Sequence, residues 1–338
     1  MNSDILLKIV KGETVSSEQM EKMPEIMISE ESNNSLKAAF LASLAARSLS
    51  PQEVSGFAKG LKKLSHLKPV PGCTDIVGTG GDKKNTINVS TAASILCSSM
   101  GIRIAKHGNI HITSRSGGAD FMEGTGYTFP LQQDQVMKQL DEHNFAFILA
   151  SKCNNTFRDF SEVRRFLGIR TIFNMMGPIT NPINPERMVL GCPDEETQNL
   201  FVEIMNHDNK NGIVVRGEDG MDEISYEGKS FLTFTGNKPQ QSIDFKEVTG
   251  IRVDEDSVTG KTREEVFMKN LEGLSGKNRE ASAFIAINAA PAIILNRPEL
   301  GFQNAYELAL KQILSGKAIS HLNSITEHRS QEVMSHVR

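Results

Sequence analysis

The sequence predicts an α/β protein in which a small N-terminal helical domain precedes a larger domain with a mostly parallel central sheet. Three features predict it: helical periodicity in the first third, the connector KPVPG at 68–72, and strands that alternate with helical stretches beyond it. Such alternation is typical of parallel sheets, because parallel neighbours need a crossover connection. We expect a helical domain over 1–68 and an α/β domain over 72–164 and 189–338.

The first third carries two helix-start signals. Ser16 with Gln19 and Ser50 with Glu53 have the spacing of a capping box, and Pro51 occupies a first-turn position. Apolar residues repeat at helical intervals over 36–44 and 54–61, which predicts core packing with an exposed remainder that could form a dimer face.

Four strands are predicted in the larger domain, at 75–77, 102–105, 145–149 and 213–215. The longest apolar stretch, 281–295, is interrupted by Asn288 and Pro291. It is therefore interpreted as a buried helix with a break and not as a membrane span.

The segment 75–94, DIVGTGGDKKNTINVSTAAS, combines an apolar strand, a glycine-rich loop and the start of a helix. Gly78, Gly80 and Gly81 lack a Cβ, so their backbone N–H groups can approach an anion closely. Asn88, Ser90 and Thr91 open the helix, whose N-terminal N–H groups favour the same anion, and Gly101 follows as a stop signal. This arrangement predicts a phosphate site; an ordinary glycine turn before a capped helix is the alternative.

Neither standard nucleotide fingerprint fits this loop. GTGGDKKNT lacks the Gly-Lys-Ser/Thr ending of a Walker loop, and Lys83 stands where a dinucleotide motif has its third glycine. The sequence thus predicts a diphosphate ligand other than an NTP or NAD.

A second polar cluster, KHGNIHITSRSGGAD at 106–120, follows the strand predicted at 102–105. We expect Lys106, His107, Gly108 and Asn109 at the carboxyl end of that strand, where α/β sheets bind ligands. Lys106 offers a charge for phosphate, whereas a lone histidine such as His107 is more often a packed residue.

A third element, GEDGMDEIS at 217–225, follows the apolar run 213–215. Its adjacent carboxylates, Asp222 and Glu223, suit a magnesium ion that keeps several waters and bridges phosphate oxygens. Most such pairs are surface charge, but two candidate phosphate loops already precede this one.

GTGGD, NVST, KHGN, SRSGGAD, VRRFLGIRTIFNMMGPITNP and DGMDEIS occur in an order that resembles the anthranilate phosphoribosyltransferases, over most of the chain. That family is similar to the nucleoside-phosphorylase class of folds, usually forms homodimers through its helical part, and joins anthranilate to 5-phosphoribosyl 1-diphosphate in tryptophan synthesis. The resemblance implies that a return segment at about 165–188 passes back through the helical domain, with 170–185 as a hinge.

The resemblance also implies roles for individual residues. The phosphoribosyl diphosphate would be held by Gly78, Gly81, Asp82, Thr86, Asn88, Val89, Ser90, Thr91, Lys106, His107, Gly108, Asn109 and Ser114. Anthranilate would meet Gly78, Asn109 and Arg164, and two Mg²⁺ ions would be bound by Ser90, Asp222 and Glu223. The guanidinium fork of Arg164 suits a carboxylate, although a helix-surface arginine beside Arg165 is the plain alternative. No catalytic base is predicted, because a neutral aromatic amine is already nucleophilic.

Two segments depart from the family pattern. Ile110 stands where the family has an arginine and is followed by His111, Ile112 and Thr113, and 153–156, CNNT, replaces the usual His-Pro. The resemblance implies that both face the acceptor, so a same-fold transferase for another aromatic or pyrimidine acceptor is kept as an alternative.

Composition excludes several classes of protein. A net charge of −4 gives no general attraction to nucleic acid or acidic membranes, which disfavours a non-catalytic nucleic-acid-binding paralogue. The four cysteines are widely spaced and indicate reduced thiols in a cytoplasmic protein, and the N-terminus shows no secretion signal.

Overall fold

The computed structural model describes residues 3–80, 84–109 and 117–326. The helices are α1 Ser3–Val10, α2 Ser17–Ile28, α3 Asn34–Ala45, α4 Pro51–Lys63, α5 Val89–Ser99, α6 Gly118–Gly124, α7 Gln133–His143, α8 Ala150–Cys153, α9 Thr156–Asp159, α10 Ser161–Leu167, α11 Phe173–Ile179, α12 Glu195–His207, α13 Phe245–Thr249, α14 Glu255–Val258, α15 Arg263–Ser275, α16 Arg279–Asn296, α17 Gly301–Leu314 and α18 Lys317–Ile325. The strands are β1 Thr74–Gly78, β2 Ile104–Gly108, β3 Phe145–Leu149, β4 Arg187–Gly191, β5 Asn211–Gly217, β6 Lys229–Phe234 and β7 Gln241–Asp244.

The seven strands form one sheet in the order β3-β2-β1-β4-β5-β6-β7. Strands β1 to β5 are parallel, whereas β6 and β7 add an antiparallel edge. The predicted α/β class and mostly parallel sheet are confirmed. In the register, Gly78 of β1 lies beside Gly191 of β4, so both strands end at the same edge.

Strand β2 corrects the prediction for 102–105. It begins at Ile104 and continues through Gly108, so Lys106 and His107 lie within the strand and are buried. Every residue of β2 pairs with β3, from Ile104 with Phe145 onward. This pairing satisfies the backbone N–H and C=O groups of β2, so the strand continues through the polar residues Lys106 and His107.

Helix α16 corrects a second prediction, because it runs from Arg279 to Asn296 with Pro291 inside it. The expected break is wrong. A proline removes one backbone donor, and the burial of most residues of α16 compensates for that loss.

The two predicted capping boxes are both present. Ser16 Oγ accepts from the N–H of Gln19 at 3.2 Å, and the Gln19 side chain accepts from the N–H of Ser16 at 3.0 Å. Ser50 and Glu53 repeat the pattern, with Pro51 in the first turn of α4. Glu53 is fully buried and pairs with Arg47 at 2.5 Å, so this cap also anchors the helical region.

Each face of the sheet has its own apolar core. One core joins helices α2–α4 to α10–α12 and includes Val77, Leu190 and Val214 of the strands. Within it, Phe57 of α4 and Phe173 of α11 lie 5.5 Å apart, edge to face, although they are distant in sequence. The other core packs α5 and α15–α17 against the opposite face. The sheet therefore supports a helical layer on either side.

All four cysteines are buried free thiols. Over 3–80, 84–109 and 117–326, no helix has the length and apolar character needed to cross a bilayer.

Candidate functional site

The carboxyl edge of β1 and β4 is covered by the loop that follows β5. The Oδ2 atom of Asp222 in this loop accepts from the N–H of Gly80 at 2.6 Å and from the hydroxyl of Thr79 at 3.3 Å. A Cβ at Gly78 would lie 2.3 Å from Asp222 Oδ2, and one at Gly191 would lie 1.6 Å from the Asp222 carbonyl oxygen. Only glycine fits at either position, so the carboxylate is held directly against the glycine-rich loop.

The neighbouring carboxylate, Glu223, is held by the second half of the glycine-rich segment. Its Oε1 accepts from the hydroxyl of Thr86 at 3.0 Å. Thr86 is fixed by a bridge to Thr259, and the N–H of Ile87 donates to Val258 at 2.7 Å. Both predicted metal ligands of the β5 loop therefore contact the predicted phosphate segment.

A buried asparagine holds the same loop through hydrogen bonds to its backbone. Asn288 of α16 accepts from the N–H of Ile224 at 2.7 Å and donates to its carbonyl at 3.1 Å. Sequence reasoning missed this role and treated Asn288 as an interruption. A single amide within an otherwise apolar buried helix was the available signal, since such a group must find partners.

Helix α5 begins at Val89, so Ser90 and Thr91 lie in its first turn, as predicted, where backbone N–H groups have no helical acceptor. Asn88 is the N-cap residue and accepts from Asn270 at 3.4 Å. The buried Oγ1 of Thr91 has no hydrogen-bond partner among the described residues, and a Cβ at Gly118 would lie only 2.3 Å from it. This end of α5 thus carries donors that suit an anion.

Lys106 carries a buried ammonium group at the candidate site. Its Nζ donates to the carbonyl of His107 at 3.0 Å. Burial lowers its pKa, while the negative charges of Asp75 and Asp222 oppose that shift. Asp75 is itself fully buried, which raises its pKa, and its carboxylate accepts from the N–H of His107 and from Asn181. Lys106 therefore lies in the electrostatic field of the Asp222 loop.

His107 is a packed residue of β2. Its Nδ1 lies 2.9 Å from the carbonyl of Gly177 in α11, and burial lowers its pKa to about 4. A neutral ring that donates from Nδ1 satisfies this contact. The next residue, Gly108, has no room for a side chain, because a Cβ would lie 2.4 Å from the ring of Phe147.

Arg164 lies in α10 with its guanidinium 5.3 Å from the ring centroid of Phe173. It is half-buried, burial lowers its pKa, and its guanidinium makes no hydrogen bond or ion pair with any described residue. Phe173 and Gly177 are one turn apart on α11, and Gly177 contacts His107. One short helix thus connects the arginine to β2.

Several predicted residues fall outside the described part of the chain. These are Gly81, Asp82, Ser114 and the segment 110–113. Asn109 is described, and its carbonyl accepts from the N–H of Ala119 at 3.4 Å. In the departing segment 153–156, Asn154 donates to Leu61 of α4 at 2.6 Å and accepts from the N–H of Thr156 at 2.9 Å, so it is tied to the helical layer.

The donors at this edge fit magnesium. Two adjacent carboxylates and the hydroxyl groups of Thr86 and Ser90 are hard oxygen ligands. Over 3–80, 84–109 and 117–326, no three histidine, cysteine, aspartate or glutamate residues are placed so that they could hold a metal ion by themselves. Such a site suits an ion that keeps waters and shares substrate oxygens.

Comparison with known proteins identifies the family. Sequence models of the glycosyl transferase family match its helical bundle domain to residues 3–65 and its a/b domain to residues 71–319. The anthranilate phosphoribosyltransferase of Picrophilus torridus is 44% identical over 295 residues, which is 87% of this chain and 90% of that protein. The chain belongs to the anthranilate phosphoribosyltransferase family. The predicted family is thus confirmed, together with its class as a pentosyl-transferring enzyme family.

Other members agree in sequence and in structure. The anthranilate phosphoribosyltransferase of Thermoplasma acidophilum is 35% identical and covers 90% of this chain and 94% of its own length. The crystal structure of the anthranilate phosphoribosyltransferase from Thermus thermophilus has a TM-score of 0.87 at 28% identity, covering 95% of this chain and 97% of that chain. The Saccharomyces cerevisiae family member in complex with PRPP and Mg has a TM-score of 0.84 at 25% identity, covering 96% of this chain and 97% of that chain.

Proposed function

We propose that the chain transfers the phosphoribosyl group of 5-phosphoribosyl 1-diphosphate to the amine of anthranilate and releases diphosphate, as a step of tryptophan synthesis. The observation that carries the proposal is the contact between Asp222 and the glycine-rich loop, with the amide of Gly80 at 2.6 Å and no room for a side chain at Gly78. It joins a predicted metal ligand to a predicted phosphate loop.

The donor would lie along the glycine-rich segment, the start of α5 and β2. Support comes from the unpartnered hydroxyl of Thr91, the open N-terminus of α5 and the buried ammonium of Lys106. A buried ammonium with mainly carbonyl contacts gains most from an incoming phosphate. The residues in the proposed donor site are Gly78, Gly81, Asp82, Thr86, Asn88, Val89, Ser90, Thr91, Lys106, His107, Gly108, Asn109 and Ser114.

Magnesium would be held by Ser90, Asp222 and Glu223, and we propose two ions. When bound, the ions would neutralise charge on the diphosphate leaving group. The chain's own part is to place both carboxylates: Gly80 and Thr79 fix Asp222, and Thr86 fixes Glu223. Asn288 acts as a positioning residue by holding the backbone of Ile224.

Anthranilate would meet Gly78, Asn109 and Arg164. The argument for Arg164 is its half-buried guanidinium without a described hydrogen-bond or ion-pair partner, stacked on Phe173. A carboxylate can accept two parallel hydrogen bonds from such a fork.

The reaction needs positioning and electrostatics more than proton transfer. Loss of diphosphate from C1 of the ribose develops positive charge on the sugar and negative charge on the leaving group. Lys106, the amides of the loop and the first turn of α5 would stabilise the leaving group. Arg164 and Asn109 would aim the amine at C1 from the opposite face, so no general base is assigned.

The same proposal covers the domain division and the assembly. We propose a helical domain over 1–68 with a return segment at about 165–188, and an α/β domain over 72–164 and 189–338. The core that α2–α4 share with α10 and α11 supports the return segment, and the same core continues into α12 and the strands β1, β4 and β5 of the α/β domain. A cytoplasmic homodimer is proposed, with the exposed Leu7, Val10 and Phe166 as candidates for an apolar contact.

Another aromatic or pyrimidine acceptor is the second candidate. It rests on the loss of a charge at Ile110 and on the polar anchor at Asn154 in the acceptor-facing segments. A non-catalytic nucleic-acid-binding role has no comparable support, since the net charge is −4.

The test incubates the protein with 5-phosphoribosyl 1-diphosphate, Mg²⁺ and anthranilate, and follows the loss of anthranilate fluorescence. Turnover that needs all three components is the expected result. Donor binding without anthranilate turnover would move the assignment to another acceptor. Assays with a series of other aromatic acids and pyrimidines in place of anthranilate would then identify that acceptor.

A further inference from the structure

A basic cleft lies at the amino edge of the sheet, opposite the candidate site. It has a volume of about 480 Å³. Its walls come from α4 and from the segments that lead into β1, β4 and β5: Lys68 precedes Thr74, Asn184 precedes Arg187, and Lys210 precedes Asn211. Those three strands start in register, so the segments meet at one place.

Cations exceed anions in this cleft. Among the described residues that line it are five lysines and no arginine, and their carboxylate neighbours are Glu21 and Asp208. Those two carboxylates are already engaged, Glu21 by Lys63, and Asp208 by Lys59 at 2.6 Å and the hydroxyl of Ser55 at 2.7 Å. Lys62, Lys68 and Lys210 make no ion pair with a described residue.

Lys62 and Lys210 converge on one neutral atom. The Oδ1 of Asn184 accepts from Lys62 Nζ at 3.1 Å and from Lys210 Nζ at 3.0 Å. Lys210 has two further acceptors, the carbonyls of Asn184 and Pro185. Among the described residues Lys62 Nζ has only this amide oxygen as an acceptor, which leaves two of its three ammonium protons for a ligand.

The positive charge of Lys62 is only partly compensated in this cleft. Burial and the charge of Lys210 lower the pKa of Lys62 to about 8, and burial lowers the pKa of Lys210 as well, while the negative charge of Asp208 opposes both shifts. The two partly desolvated ammonium groups share a neutral oxygen, and the charge of Lys210 raises the cost of charging Lys62. A dianion beside Lys62 would remove that repulsion and accept the available protons.

We propose that this cleft binds a phosphate group, either inorganic phosphate or the phosphate monoester of a small metabolite, separately from the reaction centre. Lysine ammonium groups bind phosphate as point charges and can donate up to three hydrogen bonds to its oxygens. Five lysines against two carboxylates among the described lining residues favour an anion with more than one charge, such as phosphate.

The test measures phosphate binding by isothermal titration calorimetry on the intact protein, at constant ionic strength. Lys62→Met removes the charge at similar length, and Lys311→Met is the matched control, because Lys311 is an exposed lysine of α17 remote from the cleft. Phosphate bound at the candidate site contributes equally to all three proteins. The expected result is a phosphate-binding step that Lys62→Met weakens at least tenfold and Lys311→Met leaves unchanged.

Crystals soaked in selenate locate the site by anomalous scattering. The expected peak lies between Lys62 and Lys210 and disappears in Lys62→Met. Titrations in which Lys62→Met and the native protein bind phosphate equally would overturn the proposal. A selenate peak without a Lys62-dependent binding step in solution would mean an adventitious ion only and would overturn it too. A circular dichroism spectrum and an unfolding midpoint equal to those of the native protein establish that the variant is folded.

Discussion

Replacement of Gly78 by alanine tests how closely the donor loop and the Asp222 loop are packed. The new Cβ would lie 2.3 Å from Asp222 Oδ2 and 2.9 Å from its Cγ, whereas ordinary contacts begin at 3.4 Å. The carboxylate must therefore move by about 1 Å, which would break its 2.6 Å bond to the N–H of Gly80.

The expected consequence is a loss of activity with a higher magnesium requirement. A displacement of about 1 Å at a reacting centre can reduce turnover about 100-fold. Overpacking at such a site costs about 1–3 kcal/mol of the free energy of unfolding. The assay follows anthranilate fluorescence as a function of Mg²⁺ concentration, beside a urea unfolding curve for each protein.

Gly212→Ala is the matched control. Gly212 is also a strand glycine, but it lies in β5 at the amino edge, and its Cβ would meet the flexible side chain of Met205, at 2.5 Å from Sδ. This variant should lose stability without a change in its magnesium response. If Gly78→Ala kept native turnover and the native magnesium requirement, the packing argument would be refuted.

Three further outcomes are expected. Asn288→Ala removes the hydrogen-bond partners of the Ile224 N–H and C=O, at a cost of about 1–3 kcal/mol each. It should therefore raise the Mg²⁺ concentration needed for half-maximal turnover, and an unchanged concentration would contradict the positioning role of Asn288. Arg164→Ala should raise the KM for anthranilate far more than the KM for the donor. Arg165 is an exposed neighbour, and Arg165→Ala should change neither KM. Equal effects of Arg164→Ala on both KM values would argue against the assignment. Burial lowers the pKa of His107 to about 4, so the neutral imidazole stabilises the fold fully above about pH 6.5. As the pH falls from 6.5 towards 4, this contribution of about 3 kcal/mol to the free energy of unfolding is lost. Urea unfolding between pH 4 and 7 should show a flatter pH dependence for His107→Gln than for the native protein, and identical profiles would count against a buried neutral imidazole.

Features with a local sequence signal were predicted well. The start of α5 and strand β3 each depend on a short pattern, and β3 has the predicted bounds. The capping boxes at Ser16 and Ser50 also depend on residues three apart. In such cases the hydrogen bonds form between near neighbours, so spacing alone determines them.

Features that depend on distant partners were not predicted. The charge of Lys106 predicts that the strand ends before it. In the structure the carboxylate of Asp75, on the adjacent strand, stabilises the ammonium and permits its burial within β2. Asn288 looks like a helix interruption until Ile224, 64 residues away, supplies both of its partners. The lysines of the basic cleft likewise come from α4, the β1 connector and the residue before β5, with no spacing that a sequence pattern could detect.

Donor affinity with and without magnesium tests the central claim most directly. Calorimetric titration of the protein with 5-phosphoribosyl 1-diphosphate should show binding that strengthens markedly with Mg²⁺. The double variant Asp222→Asn, Glu223→Gln should retain the fold but lose the magnesium-dependent part. Equal donor affinity in the native protein with and without Mg²⁺, or no donor binding at all, would contradict the account.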